Sequence, residues 1–238
     1  QSGARVMIVS RKGETCAETA AELNGLGVGG EAEGFAGDVS SEDAISALAA
    51  EVGRRTDRLN ILVNNAGVTW GKALESFPHK AWERVMNVNV AGLFTLTREL
   101  LPLLDAAASP ADPARIINLG SVMGTAPIGA GAYSYAASKA AVHHLTRIMA
   151  SEFASRRITV NAFAPGPFLS NMTAFALGDE ARADSVAKTI PMGRLGMPED
   201  IAGATLFLCG RGGAYTTGTI IPLDGGMVTD APKTLFGD

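Results

Sequence analysis

The residues able to do chemistry sit in two short stretches. Tyr135 and Lys139 stand at i and i+4 in Tyr135-Ala136-Ala137-Ser138-Lys139, which puts a phenol and an ammonium on one helical face. A tyrosine with a pKa near 10 is a poor acid or base at neutral pH, and a neighbouring cation lowers that pKa by favouring the phenolate. A solvated helix pair is the plainer reading of the same spacing. Ser121 ends an apolar run 14 positions before Tyr135, and Leu119 precedes Gly120, so a Gly-x-Ser-x-Gly hydrolase elbow is absent. Asn64-Asn65-Ala66-Gly67 directly follows Ile61-Leu62-Val63, at the carboxyl end of an expected buried strand. There, α/β sheets bind ligands, although an ordinary Asx turn would use the same residues.

Positioning these groups requires alternating strands and helices. Short aliphatic runs alternate with amphipathic stretches, the pattern of βαβ units and a parallel sheet. The expected strands are Arg5 to Ser10, Ala32 to Gly37, Asn60 to Val63, Arg115 to Leu119, Thr159 to Phe163 and Thr219 to Pro222. Helices are expected over Glu14 to Asn24, from a capping box at Ser40 and Asp43 through Val52, over about His79 to Leu104, over Tyr133 to Ser155, and after Pro198. In the Tyr133 helix, Ala137, Ala141, Leu145, Ile148 and Met149 would form the apolar stripe. Glu199 and Asp200 would sit in the last helix's first turn, where the macrodipole favours acids. The literal Gly-x-Gly-x-x-Gly of Gly25 to Gly30 is not a dinucleotide fingerprint, because a helix precedes it and a strand follows it. Those glycines are expected to end a helix and form a turn.

With 238 residues, 47% apolar and 18% charged, the chain can bury one sizeable core and is expected to be a soluble single domain over 1–238. A net charge of −4 without basic runs argues against nucleic acid, and the absence of an apolar run of about 18 to 20 residues argues against a membrane span. Cys16 and Cys209 form no Cys-x-x-Cys spacing, which fits a reducing cytoplasm and no zinc site. With three histidines, no metal is expected; His143 and His144 read as packing or subunit-contact residues. Two irregular stretches, Gly120 to Gly131 and a loop over about 164–190, could form a substrate rim, with Met172, Thr173 and Phe175 either a lid or a packed apolar loop.

Together these features resemble the short-chain dehydrogenase/reductase family. The matching pieces run in family order: Asp38-Val39, Asn64-Asn65-Ala66-Gly67, Asn89 in Asn87-Val88-Asn89, Gly120-Ser121, Tyr135-x-x-x-Lys139, Pro165-Gly166 and Asp224-Gly225-Gly226. Within the family the chain looks most like 3-oxoacyl thioester reductases, including the type linked to rhamnolipid synthesis, through Asn65 to Trp70 and Ile190 to Leu195. The resemblance implies a Rossmann-like doubly wound parallel sheet in three αβα layers and a catalytic set of Asn89, Ser121, Tyr135 and Lys139. Tyr135 would pass a proton to the substrate carbonyl oxygen, and Ser121 would hydrogen-bond that oxygen. Lys139 would lower the Tyr135 pKa and hold the nicotinamide ribose, while Asn89 would anchor a water leading to solvent. Asp38 and Val39 would meet the adenine. Asn65, Ala66 and Gly67 would line the adenosine side, and Pro165, Gly166, Phe168 and Ser170 the nicotinamide end; the family usually has Thr at the Ser170 position.

Charge selects the cofactor. A ribose 2′-hydroxyl calls for a carboxylate at the end of the second strand and a 2′-phosphate calls for a cation. Ser10-Arg11-Lys12 offers no acid before Glu14, so NADP(H) is expected with Arg11 and Lys12 on the phosphate; two solvated loop cations are the alternative. The departure from the family lies at the front. The sequence begins at Gln1-Ser2-Gly3-Ala4, which looks like the end of the family's first helix. A unit of roughly 30 residues, holding the first strand, the Gly-rich turn and that helix, is expected to be omitted. Without it the sheet would lack its centre, and such a fragment would be unstable and inactive. The expected activity is NADPH-dependent reduction of a 3-oxoacyl thioester. A short-chain alcohol, sugar or steroid-type dehydrogenase and a non-catalytic NADP-binding sensor or scaffold are the alternatives. A homotetramer or homodimer built on the two long helices is expected.

Overall fold

The computed structural model describes residues 3–169 and 179–229. Six strands form, all paired in parallel: β1 (Arg5–Ser10), β2 (Glu31–Ala36), β3 (Ile61–Asn64), β4 (Ala114–Leu119), β5 (Ile158–Pro165) and β6 (Ile220–Leu223). They make two sheets, β1-β2 and β3-β4-β5-β6. Among the described residues no strand joins β1 to β3. Parallel strands normally bury both faces, yet here Val6 of β1 and Val63 of β3 are 41% and 46% exposed.

Neighbouring side chains of β4 and β5 separate the layers, because successive residues of a strand point to opposite faces. Ile116 and Val160 pack with Leu48 and Val52 of α2 (Glu42–Arg55), Leu100 and Leu104 of α4 (Leu93–Ala107), and Val142, Met149 and Phe153 of α5 (Tyr133–Phe153). Ile117 and Phe163 pack with Leu208 of the last helix, α7 (Pro198–Cys209). Helices therefore cover both faces of the four-stranded sheet. On the smaller sheet, α1 (Gly13–Gly25) buries Cys16 and Ala20. The glycines after α1 form a turn before β2, with Gly27 and Gly29 at φ 63° and 78°, which Gly adopts without steric cost.

Several expectations need correction. The helix expected over His79 to Leu104 is α3 (His79–Met86), a π-helical turn over Asn87–Gly92, and then α4. A wider turn shifts the side-chain phase, which a 3.6-residue period does not anticipate. The cap of α2 is Ser41, whose Oγ accepts from Ala44 N; Ser40 instead donates its hydroxyl and its backbone N–H to the Asp38 carboxylate. The buried face of α5 only partly follows the aliphatic stripe. Of its members Met149 is buried and Ala141 and Leu145 are partly buried, but Ala137 and Ile148 are exposed, and Ser134, Ser138, Val142 and Thr146 are buried in addition. The hydroxyls of Ser138 and Thr146 on that face are met by hydrogen bonds. An unanticipated helix, α6 (Glu180–Ala187), is capped by Asp179 within the stretch read as loop. Ser170, Met172, Thr173 and Phe175 lie outside the described residues. Among the described residues no helix is long and apolar enough to cross a membrane.

Candidate active site

The carboxyl ends of β3 and β4 meet the first turns of α5, and a buried polar chain fixes that meeting. Asn64 donates to Thr97 Oγ1 (3.0 Å) and to Asn118 Oδ1 (2.9 Å), and Asn118 donates to Thr146 Oγ1 (2.9 Å). Thr97 and Thr146 each return their proton to a carbonyl one turn back, Leu93 and Val142. The Asn64 side chain thus ties β3 to β4 and α4 instead of closing a local Asx turn. Bonds of this kind, removed from water, hold one register firmly because leaving any member unpaired is costly.

Asn89 sits in the π-helical turn, 1% exposed. Its Oδ1 accepts from Val68 N (2.8 Å), and its Nδ2 donates to Val68 O (2.9 Å) and Ser138 Oγ (3.0 Å). Ser138 in turn donates to the backbone carbonyl of Tyr135 at 2.7 Å. One amide therefore links the segment after Gly67 to the helix that carries Tyr135. Asn87, in the same turn, donates to Ser40 O at 2.6 Å and so holds the Asp38-Val39 loop.

Ser121 is buried at the end of β4, and its Oγ accepts from Met123 N at 3.2 Å. The Tyr135 hydroxyl faces Ser121, near enough for the serine to act on its titration. Lys139, 5% exposed, donates from Nζ to Leu119 O at 2.6 Å and lies 5.5 Å from the centre of the Tyr135 ring. The structure thus brings together Ser121, Tyr135, Lys139 and Asn89.

The electrostatics differ from the expectation. Burial raises the Tyr135 pKa above 10, and the Ser121 hydrogen bond opposes that without overcoming it. Lys139 is tethered to the Leu119 carbonyl and adds no resolved lowering of the Tyr135 pKa. Burial brings Lys139 itself down to about 8. A phenol that keeps its proton suits a proton donor, and an ammonium near pH 8 is able to release and regain its own.

The remaining site residues surround this centre or stand apart from it. Asn65 and Ala66 are exposed and Gly67 is partly exposed at the end of β3. A Cβ added at Gly67 would lie 3.5 Å from Asn89 Oδ1 and 3.6 Å from Lys139 Nζ, so this backbone borders both. Arg11 and Lys12 are exposed after β1, and neither forms an ion pair among the described residues. Pro165 and Gly166 end β5, where Gly166 N donates to Leu223 O. Phe168 pairs with Gly196 as an isolated bridge and lines a cleft of about 380 Å³ with Pro167, Ile190, Met192, Asp224 and Gly225. Ser121, Tyr135 and Lys139 do not line that cleft. Sequence reasoning passed over Ser138, although it lies inside the Tyr135 to Lys139 motif. It read His143 as packing or subunit contact; His143 is 4% exposed and lies behind Ser121, while His144 is exposed.

Comparison with known proteins bears on this arrangement. A family model described as enoyl-(acyl carrier protein) reductase matches residues 1–228. The rhamnolipids biosynthesis 3-oxoacyl-(acyl-carrier-protein) reductase of Pseudomonas aeruginosa is 46% identical over 227 residues, covering 95% of this chain and 88% of that protein. A 3-oxoacyl-(acyl-carrier-protein) reductase of Thermotoga maritima is 35% identical over 228 residues, covering 96% and 89%. Among solved structures, the Pseudomonas aeruginosa RhlG/NADP active-site complex superposes with a TM-score of 0.91 at 46% identity, covering 95% of this chain and 87% of that one. These matches identify the chain as a member of the short-chain dehydrogenase/reductase family of oxidoreductases.

Proposed function

We propose that the protein, acting as one oxidoreductase domain over 1–238, reduces the 3-oxo group of an acyl thioester with NADPH. The observation that carries this reading is the convergence of Ser121, Tyr135 and Lys139 on one buried point. The similarity to proteins named as 3-oxoacyl reductases supports the substrate class.

The residues present fit the cofactor. Lys139 is buried and spends one ammonium proton on Leu119; among the described residues its other two have no hydrogen-bond partner, and a ribose diol would accept them. The open backbone at Gly67 lies beside it. Arg11 and Lys12 would take the 2′-phosphate, Asp38 and Val39 the adenine, Asn65, Ala66 and Gly67 the adenosine side, and Pro165, Gly166, Phe168 and Ser170 the nicotinamide end. Bound NADPH supplies the hydride that reaches the carbonyl carbon. Tyr135 gives its phenolic proton to the carbonyl oxygen, and Ser121 donates a hydrogen bond to that oxygen as negative charge builds on it. The Tyr135 phenolate is then reprotonated by way of Lys139, with the Asn89 Oδ1 as anchor of a water leading outward. Asn89 also holds the backbone from which Tyr135 projects.

The same reading makes the protein a soluble cytoplasmic enzyme that pairs with copies of itself. Exposed Phe94 on α4 and Ala137 and Ile148 on α5 offer an apolar face for a dimer, and Leu206, Phe207 and Tyr215 offer a second for a tetramer. The test of function is NADPH consumption with a 3-oxoacyl thioester by the wild type and by Tyr135→Phe. Turnover that the substitution abolishes supports the reading. Turnover confined to sugars or steroids would replace the substrate class, and NADPH binding without turnover on any carbonyl would make the protein a sensor.

A further inference from the structure

Helix α5 presents Tyr135, Lys139 and His143 at successive steps of four residues, and all three reach the short segment after β4. Tyr135 faces Ser121, and Lys139 donates to Leu119 O. His143 Nε2 accepts from Ser121 N at 3.4 Å, and His143 Nδ1 lies 3.4 Å from Thr125 Oγ1. The imidazole fills a recess that two glycines leave open near Ser121. A Cβ on Gly120 would fall 2.1 Å from His143 Nε2, and one on Gly124 would fall 2.9 Å from its Cε1. A ring used only as filler would not need a nitrogen aimed at the Ser121 amide.

We propose that His143 is the positioning residue for Ser121: its neutral imidazole accepts the Ser121 N–H and fixes the backbone from which the hydroxyl meets Tyr135. The inference rests on Ser121 being the donor to the substrate oxygen. In this arrangement Nε2 is unprotonated, and the ring proton lies on Nδ1, toward Thr125 and the Gly124 backbone. A doubly protonated ring would set N–H against N–H at Ser121. Neutrality is maintained chiefly by burial, then by the positive charges of Arg147 and Lys139 on its own helix; the Gly124 backbone hydrogen bond opposes them, and the His143 pKa lies at about 4. From the β4 side the ring meets the uncharged Gly120, Ser121, Gly124 and Thr125.

The test compares His143→Leu, which keeps volume but removes the acceptor, with His143→Gln, whose carbonyl can accept in place of Nε2. Whole protein is assayed with NADPH and a 3-oxoacyl thioester beside Ser121→Ala and the Ser121→Ala/His143→Leu double variant. Stranding a buried N–H is expected to lower kcat about 10-fold in His143→Leu while KM for NADPH stays within about twofold. His143→Gln recovers most of that loss, and the double variant is no slower than Ser121→Ala. Nitrogen NMR of the wild type without cofactor finds Nε2 unprotonated, a result that holds even if the leucine variant does not fold. Equal losses in the leucine and glutamine variants, multiplying losses in the double variant, or a proton on Nε2 would overturn the proposal alone. Undiminished turnover in Ser121→Ala would overturn the reductase reading and the proposal with it.

Discussion

Replacing Asn89 by alanine tests whether the π-helical turn is what holds the site together. Three hydrogen bonds disappear, two with the backbone of Val68 and one with Ser138. Val68 N–H and C=O are left without their partners in a partly buried place, each costing about 1–3 kcal/mol. Ser138 keeps its bond to Tyr135 O, so its loss is smaller. Water entering the space of the deleted amide would recover part of the total, which leaves a destabilisation of about 2–4 kcal/mol. For a chain of this length that lowers Tm by roughly 4–16 °C. The Tyr135 backbone also loses its link to the strand side of the site, so kcat is expected to fall about 10- to 100-fold, more than KM rises. Thermal unfolding by circular dichroism and NADPH consumption on the same preparations give both numbers. A Tm within about 1 °C of wild type would refute the hydrogen-bond accounting. A large Tm loss with unchanged kcat at low temperature would refute the positioning role.

The Lys139 pKa of about 8 makes two pH predictions. kcat/KM for reduction is expected to fall on an alkaline limb near pH 8, as the cofactor-free enzyme loses the ammonium; a flat profile up to pH 10 would contradict the relay. Between about pH 8 and 10.5 the unfolded chain holds a proton on Lys139 that the folded chain has released, so this group's contribution to stability rises with pH over that window. Denaturant midpoints in Lys139→Met should lack that rise. Arg11→Ala is expected to raise KM for NADPH about 10- to 100-fold, the worth of a charged hydrogen bond, while leaving NADH use unchanged; equal effects on both cofactors would remove Arg11 from the 2′-phosphate. Gly120→Ala would drive a methyl into His143 and is expected to abolish activity and lower Tm, which the same two assays measure.

The strands were legible because parallel β4 and β5 are buried on both faces and carry short, mostly apolar runs, Arg115 to Leu119 and Thr159 to Phe163, bounded by turn residues. The polar core was not. Hydropathy placed the buried face of α5 on Ala137, Ala141, Leu145, Ile148 and Met149, of which Ala137 and Ile148 are exposed, whereas the helix turns Ser134, Ser138, His143 and Thr146 inward. Each of the last three is met by a group on a distant element, Asn89 for Ser138, Ser121 for His143 and Asn118 for Thr146. Periodicity reads one helix at a time and cannot see that a neighbour supplies the partner that makes a buried hydroxyl affordable. The same blindness explains the misread electrostatics. Spacing alone puts Lys139 near Tyr135, but only the fold shows Lys139 drawn to the Leu119 carbonyl and both groups sunk far enough for burial to set their pKa values. Motif matching therefore found which residues the fold gathers at the end of β4. The π-helical turn, the serine bridge and the buried imidazole, which determine how those residues are held, emerged only when partners far apart in sequence were seen side by side.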